Sequence, residues 1–237
     1  MPAPSRTASR RVVLLGALAG LAGCAAAGPA PSIPLPLSDT LPGERRVTVL
    51  RHGESIASAR GVLSTSVPGE GLTYEGSARA ARAAIAMKNR EFDALFSSPL
   101  ARATETAAAF AATAALPMVP LTGLQEISAG DYEGMSAAQY GPEFAAFVDT
   151  WSRGQLDLRI PGGESGHEFM GRMDAAVAQA AAAGVNSLVI SHGEAIRCWA
   201  GNRLAPSGAL HLGYTGFIVL QPDASAWRIV EARPDGF

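Results

Sequence analysis

Two histidines in this chain each follow an apolar run and precede a glycine and a glutamate. VTVLRHGES, residues 47–55, sets Arg51 before His52, and SLVISHGEA, residues 187–195, repeats the ending at His192 and Gly193, 140 positions later. Between them, SSPLARATETA (97–107) carries Arg102 just past a Ser-Pro turn, and LQEISAGDYEG (124–134) adds Glu126, Asp131 and Glu133 among glycines. Read singly, each histidine is a satisfied polar loop residue, and His167 and His211 keep that reading. Read together, imidazoles and carboxylates could ligate a metal, but Arg51 and Arg102 would repel a divalent ion. The same guanidiniums suit a tetrahedral oxyanion such as phosphate, which accepts paired charge-assisted hydrogen bonds. Arg102 falls in the first turn of an expected helix, where the dipole mildly disfavours a cation, so an anion is expected to compensate it. The expectation is an anion site with no metal and no cofactor.

These groups can meet only if the fold delivers them to one place. Residues 46–50 and 187–191 are β-branched and apolar, the pattern of strands buried on both faces. Further strands are expected at 93–97, 118–121, 216–220 and 227–231. Helices are expected over about 73–90, 100–115, 136–153, 164–183 and 194–204, with Gly184 as the residue that ends the fourth. Residues 56–72 read as a loop with turn chemistry at Val67-Pro68-Gly69. Strands alternating with helices predict a three-layer α/β/α fold with a mostly parallel central sheet, its last two strands an antiparallel hairpin at one edge. In such sheets ligands gather at the carboxyl ends of the strands, where both His-Gly-Glu sequences lie.

The N-terminal 43 residues read as an address and a tether. Arg6, Arg10 and Arg11 precede a short apolar run, 12–21, about half the ~20 residues needed to span a bilayer. The run closes in Leu21-Ala22-Gly23-Cys24, which resembles a bacterial lipobox, so 1–23 is expected to be a signal peptide and Cys24 a lipidated residue anchoring the protein to the cell envelope. The arginine pair also resembles a twin-arginine export signal. Residues 24–43, rich in proline and alanine, suit an extended tether, and 44–237 a single domain. Without residues 1–23 the chain has 16 basic against 21 acidic residues, a charge of −5, which argues against nucleic acid as a partner. With Cys24 lipidated, Cys198 has no partner for a disulfide.

Arg51-His52-Gly53-Glu54-Ser55, the 98–107 segment, Leu124-Gln125-Glu126 with Gly130 and Glu133-Gly134, and Ser191-His192-Gly193 resemble, in order, the motifs of the histidine phosphatase superfamily, also called phosphoglycerate mutase-like. Pro161-Gly162-Gly163-Glu164-Ser165, with Glu168-Phe169 and Arg172, is similar to a segment of its broad-specificity and α-ribazole phosphatase branch. The resemblance implies a metal-independent phosphomonoester hydrolase acting on a small phosphorylated substrate. It makes His52 the nucleophile that forms a phosphohistidine, and Arg51, Arg102 and His192 the groups that hold the phosphoryl oxygens. Glu126 becomes the general acid and base, and Ser55, Ser58 and Gly193 further phosphate-site residues. Many members carry asparagine where this chain has Ser58. Only 66 positions separate Glu126 from His192, too few for the enclosing insertion of the mutase branch, which favours hydrolysis over phosphoglycerate-type transfer. A non-catalytic phosphate-binding lipoprotein on the same fold is the reading that Ser58 favours. The loops 56–72 and 135–165 contain few basic residues, so the expected substrate is a phosphomonoester of modest charge, such as a sugar or lipid-linked phosphate.

Overall fold

The computed structural model describes residues 45–204, 210–223 and 226–237. The expected signal peptide (1–23), Cys24 and the tether (24–43) lie outside the described residues. Six strands, β1 (Arg46–Arg51), β2 (Ala94–Ser97), β3 (Met118–Pro120), β4 (Asn186–Ser191), β5 (Phe217–Asp223) and β6 (Ala226–Arg233), form one sheet in the order β3-β2-β4-β1-β5-β6. The first four in that order run parallel, and β5 and β6 add an antiparallel edge pair. The helices are α1 (Ile56–Ala59), α2 (Tyr74–Ala86), α3 (Ala101–Ala114), α4 (Ala137–Ser152), α5 (Gly166–Ala183) and α6 (Gly193–Arg203).

Alternate strand residues point to opposite faces, and here both faces are apolar. Val47, Val49, Phe96, Val189, Ile218 and Leu220 pack against Val148, Trp151, Phe169, Met173 and Ile196 of α4, α5 and α6. Leu50, Leu95, Leu188, Ile190 and Val219 face the other way, against Ala83 and Ala84 of α2 and Ala103, Ala107 and Phe110 of α3. The sheet is thus the middle of three layers, as the buried-strand composition predicts. After β1 the chain turns to the α2 and α3 layer, and after β4 to the α6 layer. Adjacent strands whose continuations diverge leave a crevice at their carboxyl ends.

Two local readings are corrected. The loop 56–72 contains α1, a single turn whose N-cap Ser55 accepts from Ser58 N at 3.1 Å. Gly184 does not end α5 in the left-handed region, because its φ is −157°. Its reason is close approach: a Cβ there would lie 2.1 Å from Asp93 Oδ1, whose carboxylate accepts Val185 N and Asn186 N.

Candidate active site

β1 and β4 pair with Arg51 opposite Ser191, so the next residues, His52 and His192, emerge side by side. Their ring centroids are 4.9 Å apart at an interplanar angle of 61°, a separation that matches the spacing of neighbouring strands, about 4.7–4.9 Å. Both rings are buried. His52 Nδ1 lies 2.6 Å from Gly53 O. A carbonyl oxygen can only accept, so the proton sits on Nδ1 and Nε2 keeps its lone pair, onto which Arg102 Nε donates at 3.0 Å. Ser98 Oγ accepts from Leu100 N at 3.3 Å and is 2.7 Å from His192 Nε2. In the tautomer with its proton on Nδ1, His192 accepts from this hydroxyl at Nε2.

Burial holds both imidazoles well below the usual histidine range, with Arg102 and Arg51 adding to it at His52 and Arg102 and His52 at His192. The unfolded chain titrates near 6.5. Below that pH the unfolded state binds more protons than the folded one, so stability is full above it and falls as the solution is acidified. Thermal melts without added phosphate should show Tm falling between about pH 7 and 5, by up to ~1.4 kcal/mol per unit for each histidine. The slope should be shallower in His52→Phe, and an equal slope in that variant would contradict the assignment.

Arg102 stands in the first turn of α3, 4% exposed, where Ala101 N is tied to Pro68 O at 2.7 Å. Arg51 donates to Leu212 O at 2.5 Å and lies 4.4 Å from the centroid of the Tyr214 ring. Of the four buried side-chain nitrogen or oxygen atoms without a partner among the described residues, three belong here: Arg51 Nε, one terminal nitrogen of Arg102 and His192 Nδ1. A buried donor left unmade costs about 1–3 kcal/mol. Their gathering around His52 suits an anion as the missing acceptor, most directly for the two guanidiniums that line the cavity.

Glu126 reaches the same place from the loop after β3. Its Oε1 accepts Ile127 N at 2.9 Å and Ala195 N at 2.8 Å, and Oε2 accepts Glu194 N at 3.3 Å, the last two at the start of α6. Burial and then the Glu194 charge raise its pKa above the usual carboxylate range, against those N–H groups and Arg102. The Glu194 carboxylate is itself held by Arg197 at 2.6 and 2.9 Å. Ser58 lines the cavity of about 320 Å³ that also holds Arg51, His52, Arg102, Glu126 and Glu194. Ser55 is buried as the cap of α1, its hydroxyl engaged by Ser58 N and Ser58 Oγ. Gly193 leaves room for Arg51, whose Nε would be 3.0 Å from a Cβ there.

Some supports were not assigned from sequence. Arg172 donates to Gly123 O, Gln125 O and Glu126 O at 2.8–2.9 Å and to both oxygens of Glu164, fixing the backbone under Glu126. Thr215 N bonds Arg51 O at 3.0 Å from a left-handed conformation, φ 60°, an uncommon state for a β-branched residue. Glu133 binds Thr65 N and Ser66 N and so shapes the 62–66 wall, in keeping with a loop-forming acid.

Fold and geometry together define an α/β protein with two adjacent buried imidazoles and two guanidiniums at the carboxyl edge of its sheet, a cluster that suits a tetrahedral anion. Residues 47–234 match the model of the histidine phosphatase superfamily (branch 1), and the chain belongs to that family of enzymes. An uncharacterized protein of Mycobacterium tuberculosis is 34% identical over 161 residues, 67% of this chain and 77% of its own. A 2-carboxy-D-arabinitol-1-phosphatase of Triticum aestivum is 30% identical over 118 residues, 50% of this chain, and the chain spans only 24% of that relative. Among solved structures, a mycobacterial glucosyl-3-phosphoglycerate phosphatase in complex with VO3 superposes with a TM-score of 0.68 at 23% identity, covering 81% of this chain and 100% of that one. At that identity the likeness speaks for the fold.

Proposed function

We propose that the chain is a phosphomonoester hydrolase that works by double displacement at His52 without a metal. The observation that carries this reading is the His52 Nε2 lone pair in a cavity with unspent guanidinium donors. In the first step Nε2 forms a bond to phosphorus, the P–O bond to the alcohol breaks, and protonated Glu126 gives its proton to the departing oxygen. Arg51, Arg102 and His192 hold the non-bridging oxygens, whose charge is greatest in flight. In the second step a water attacks phosphorus, the Glu126 carboxylate takes its proton, the P–N bond breaks, and phosphate leaves a neutral His52. A raised Glu126 pKa suits the first step, and the depressed His52 pKa keeps the nucleophile neutral in acid.

Hydrolysis of an aryl phosphate by the purified protein, in excess chelator, tests this directly. Turnover should persist with EDTA; loss on chelation and recovery with zinc would overturn it. Glu126→Gln should slow alkyl phosphates far more than aryl ones, because an activated leaving group needs less protonation. Equal slowing of both would remove Glu126 from the acid role.

Export and anchoring through lipid on Cys24 complete the proposal. They rest on the order of basic, apolar and Leu-Ala-Gly-Cys segments in residues 1–24. Cys24→Ser should move the protein out of the detergent phase or leave it unprocessed, and unchanged partitioning with unchanged mass would refute the anchor.

A further inference from the structure

Half of the cavity at His52 is left unassigned by this chemistry. Its remaining wall is Val62, Leu63, Ser64 and Thr65 and one face of α4, Ala137, Gly141, Phe144 and Ala145, so the apolar part is Val62, Leu63 and the helix. Those helical positions fall at i, i+4, i+7 and i+8, a single stripe. At about 320 Å³ the cavity holds roughly ten times a water's share of liquid volume, more than a lone phosphate fills. Among the described lining residues Arg51 and Arg102 are the cations and Glu126 and Glu194 the acids. A carboxylate or second phosphate on the alcohol would meet those acids and no further cation.

Gly141 sharpens the point. It sits inside a helix, where glycine costs about 1 kcal/mol relative to alanine, yet its φ is not left-handed and a Cβ built there meets nothing within 4 Å. Pro142 crowds a preceding Cβ, which gives glycine one local reason. Ala137 and Ala145, on the turns to either side, keep the same opening without that reason.

Adjoining the His52 cavity at Thr65 and Glu126, which line both, is a second cavity of about 410 Å³ whose side chains are polar, with Gln125, Ser128, Glu164 and Arg172 in its walls. It contains neither His52 nor the two phosphate-facing arginines. Arg172 there is already engaged by three carbonyls and Glu164. An alcohol lodged in this second space would meet hydroxyl, amide and charged side chains in place of the apolar stripe of α4.

Resting on the hydrolase reading above, we infer that the substrate is a monoester of an apolar alcohol, alkyl or aryl, seated against α4, with Gly141 and Ala145 setting how far it reaches. Apolar atoms gain there what a polar alcohol would lose in hydration.

Calorimetric titration of the full chain with straight-chain alkylphosphonates, from methyl to hexyl, reads the site without turnover. Affinity should rise about fourfold per added methylene while burial continues. Ala145→Leu should end the rise at a shorter chain while methylphosphonate binds within about twofold of the parent. Ala145→Lys should instead favour 3-phosphonopropionate by about tenfold, the scale of one added ion pair of ~1.4 kcal/mol. A flat alkyl series, or tighter binding of a polyhydroxylated phosphonate, would overturn the inference and place the alcohol in the polar cavity. A rising series in a protein that hydrolyses no phosphomonoester would overturn the hydrolase reading and leave the compound a bound ligand only, not a substrate; turnover with a flat series would overturn the apolar-alcohol inference alone.

Discussion

His52→Ala should reduce phosphatase activity by at least about 10,000-fold, the scale on which an enzyme loses its nucleophile. The imidazole lines the cavity with an unprotonated Nε2, which accepts only the Arg102 Nε hydrogen bond that attack must displace, its other nitrogen being committed to Gly53 O. Its depressed pKa keeps that nitrogen unprotonated below neutral pH. Quenching the parent during turnover should trap phosphate on His52 in an acid-labile, base-stable linkage, as a P–N bond requires. His52→Ala should show no label. Mass mapping of the label to His192, or activity surviving in the alanine variant, would assign attack to another group.

Arg102→Ala should lower kcat/KM by roughly 100- to 1,000-fold, the effect of removing one preorganised donor from a charge-developing transition state. Two functions are lost at once. The guanidinium has an unpartnered terminal nitrogen aimed at no carboxylate, and its Nε donates to the attacking nitrogen. The second contact makes a further prediction that a purely structural role would not. After burial, Arg102 is the largest cause of the low His52 pKa, so in Arg102→Ala the His52 titration followed by NMR should move up toward the ordinary value. Lysine should rescue only part of the activity, since an ammonium cannot present two parallel donors. An unmoved titration would mean that the two side chains are not coupled as described.

Much of this was readable from residues alone, for identifiable reasons. Strands buried on both faces leave near-continuous apolar runs, and 46–50 and 187–191 carry that mark. Titratable residues directly after such runs stand at the sheet's carboxyl edge, which places His52 beside His192, and the Ser-Pro turn after the 93–97 strand sets Arg102 in the first turn of the next helix at the same edge. Glu126 was legible as an acid in a glycine-containing loop after the third strand. What was not legible depends on backbone reach across long sequence distances. Arg172 has the composition of any surface arginine, and only the folded chain reveals that it spans Gly123, Gln125 and Glu126. Thr215 carries no signal of a left-handed φ, because threonine is a poor residue for that state. Gly184 misled because glycine after a helix commonly marks a left-handed cap, whereas here the missing side chain makes room for Asp93. Ser55 and Ser58 differ in that only the fold shows which one is consumed in capping α1.

The alignment of β1 with β4 also governs how the pocket fails. Its two imidazoles follow adjacent central strands, flanked by β2 on one side and β5 on the other, so their spacing is set by backbone pairing in the best-protected part of the domain. Central strands open only with the whole cooperative unit, while loops and edges open at lower cost. Opening of the 62–66 wall can change which alcohol fits without separating the rings. Activity toward a minimal substrate should therefore vanish with global melting and hydrogen exchange of the β1 amides, and not before it.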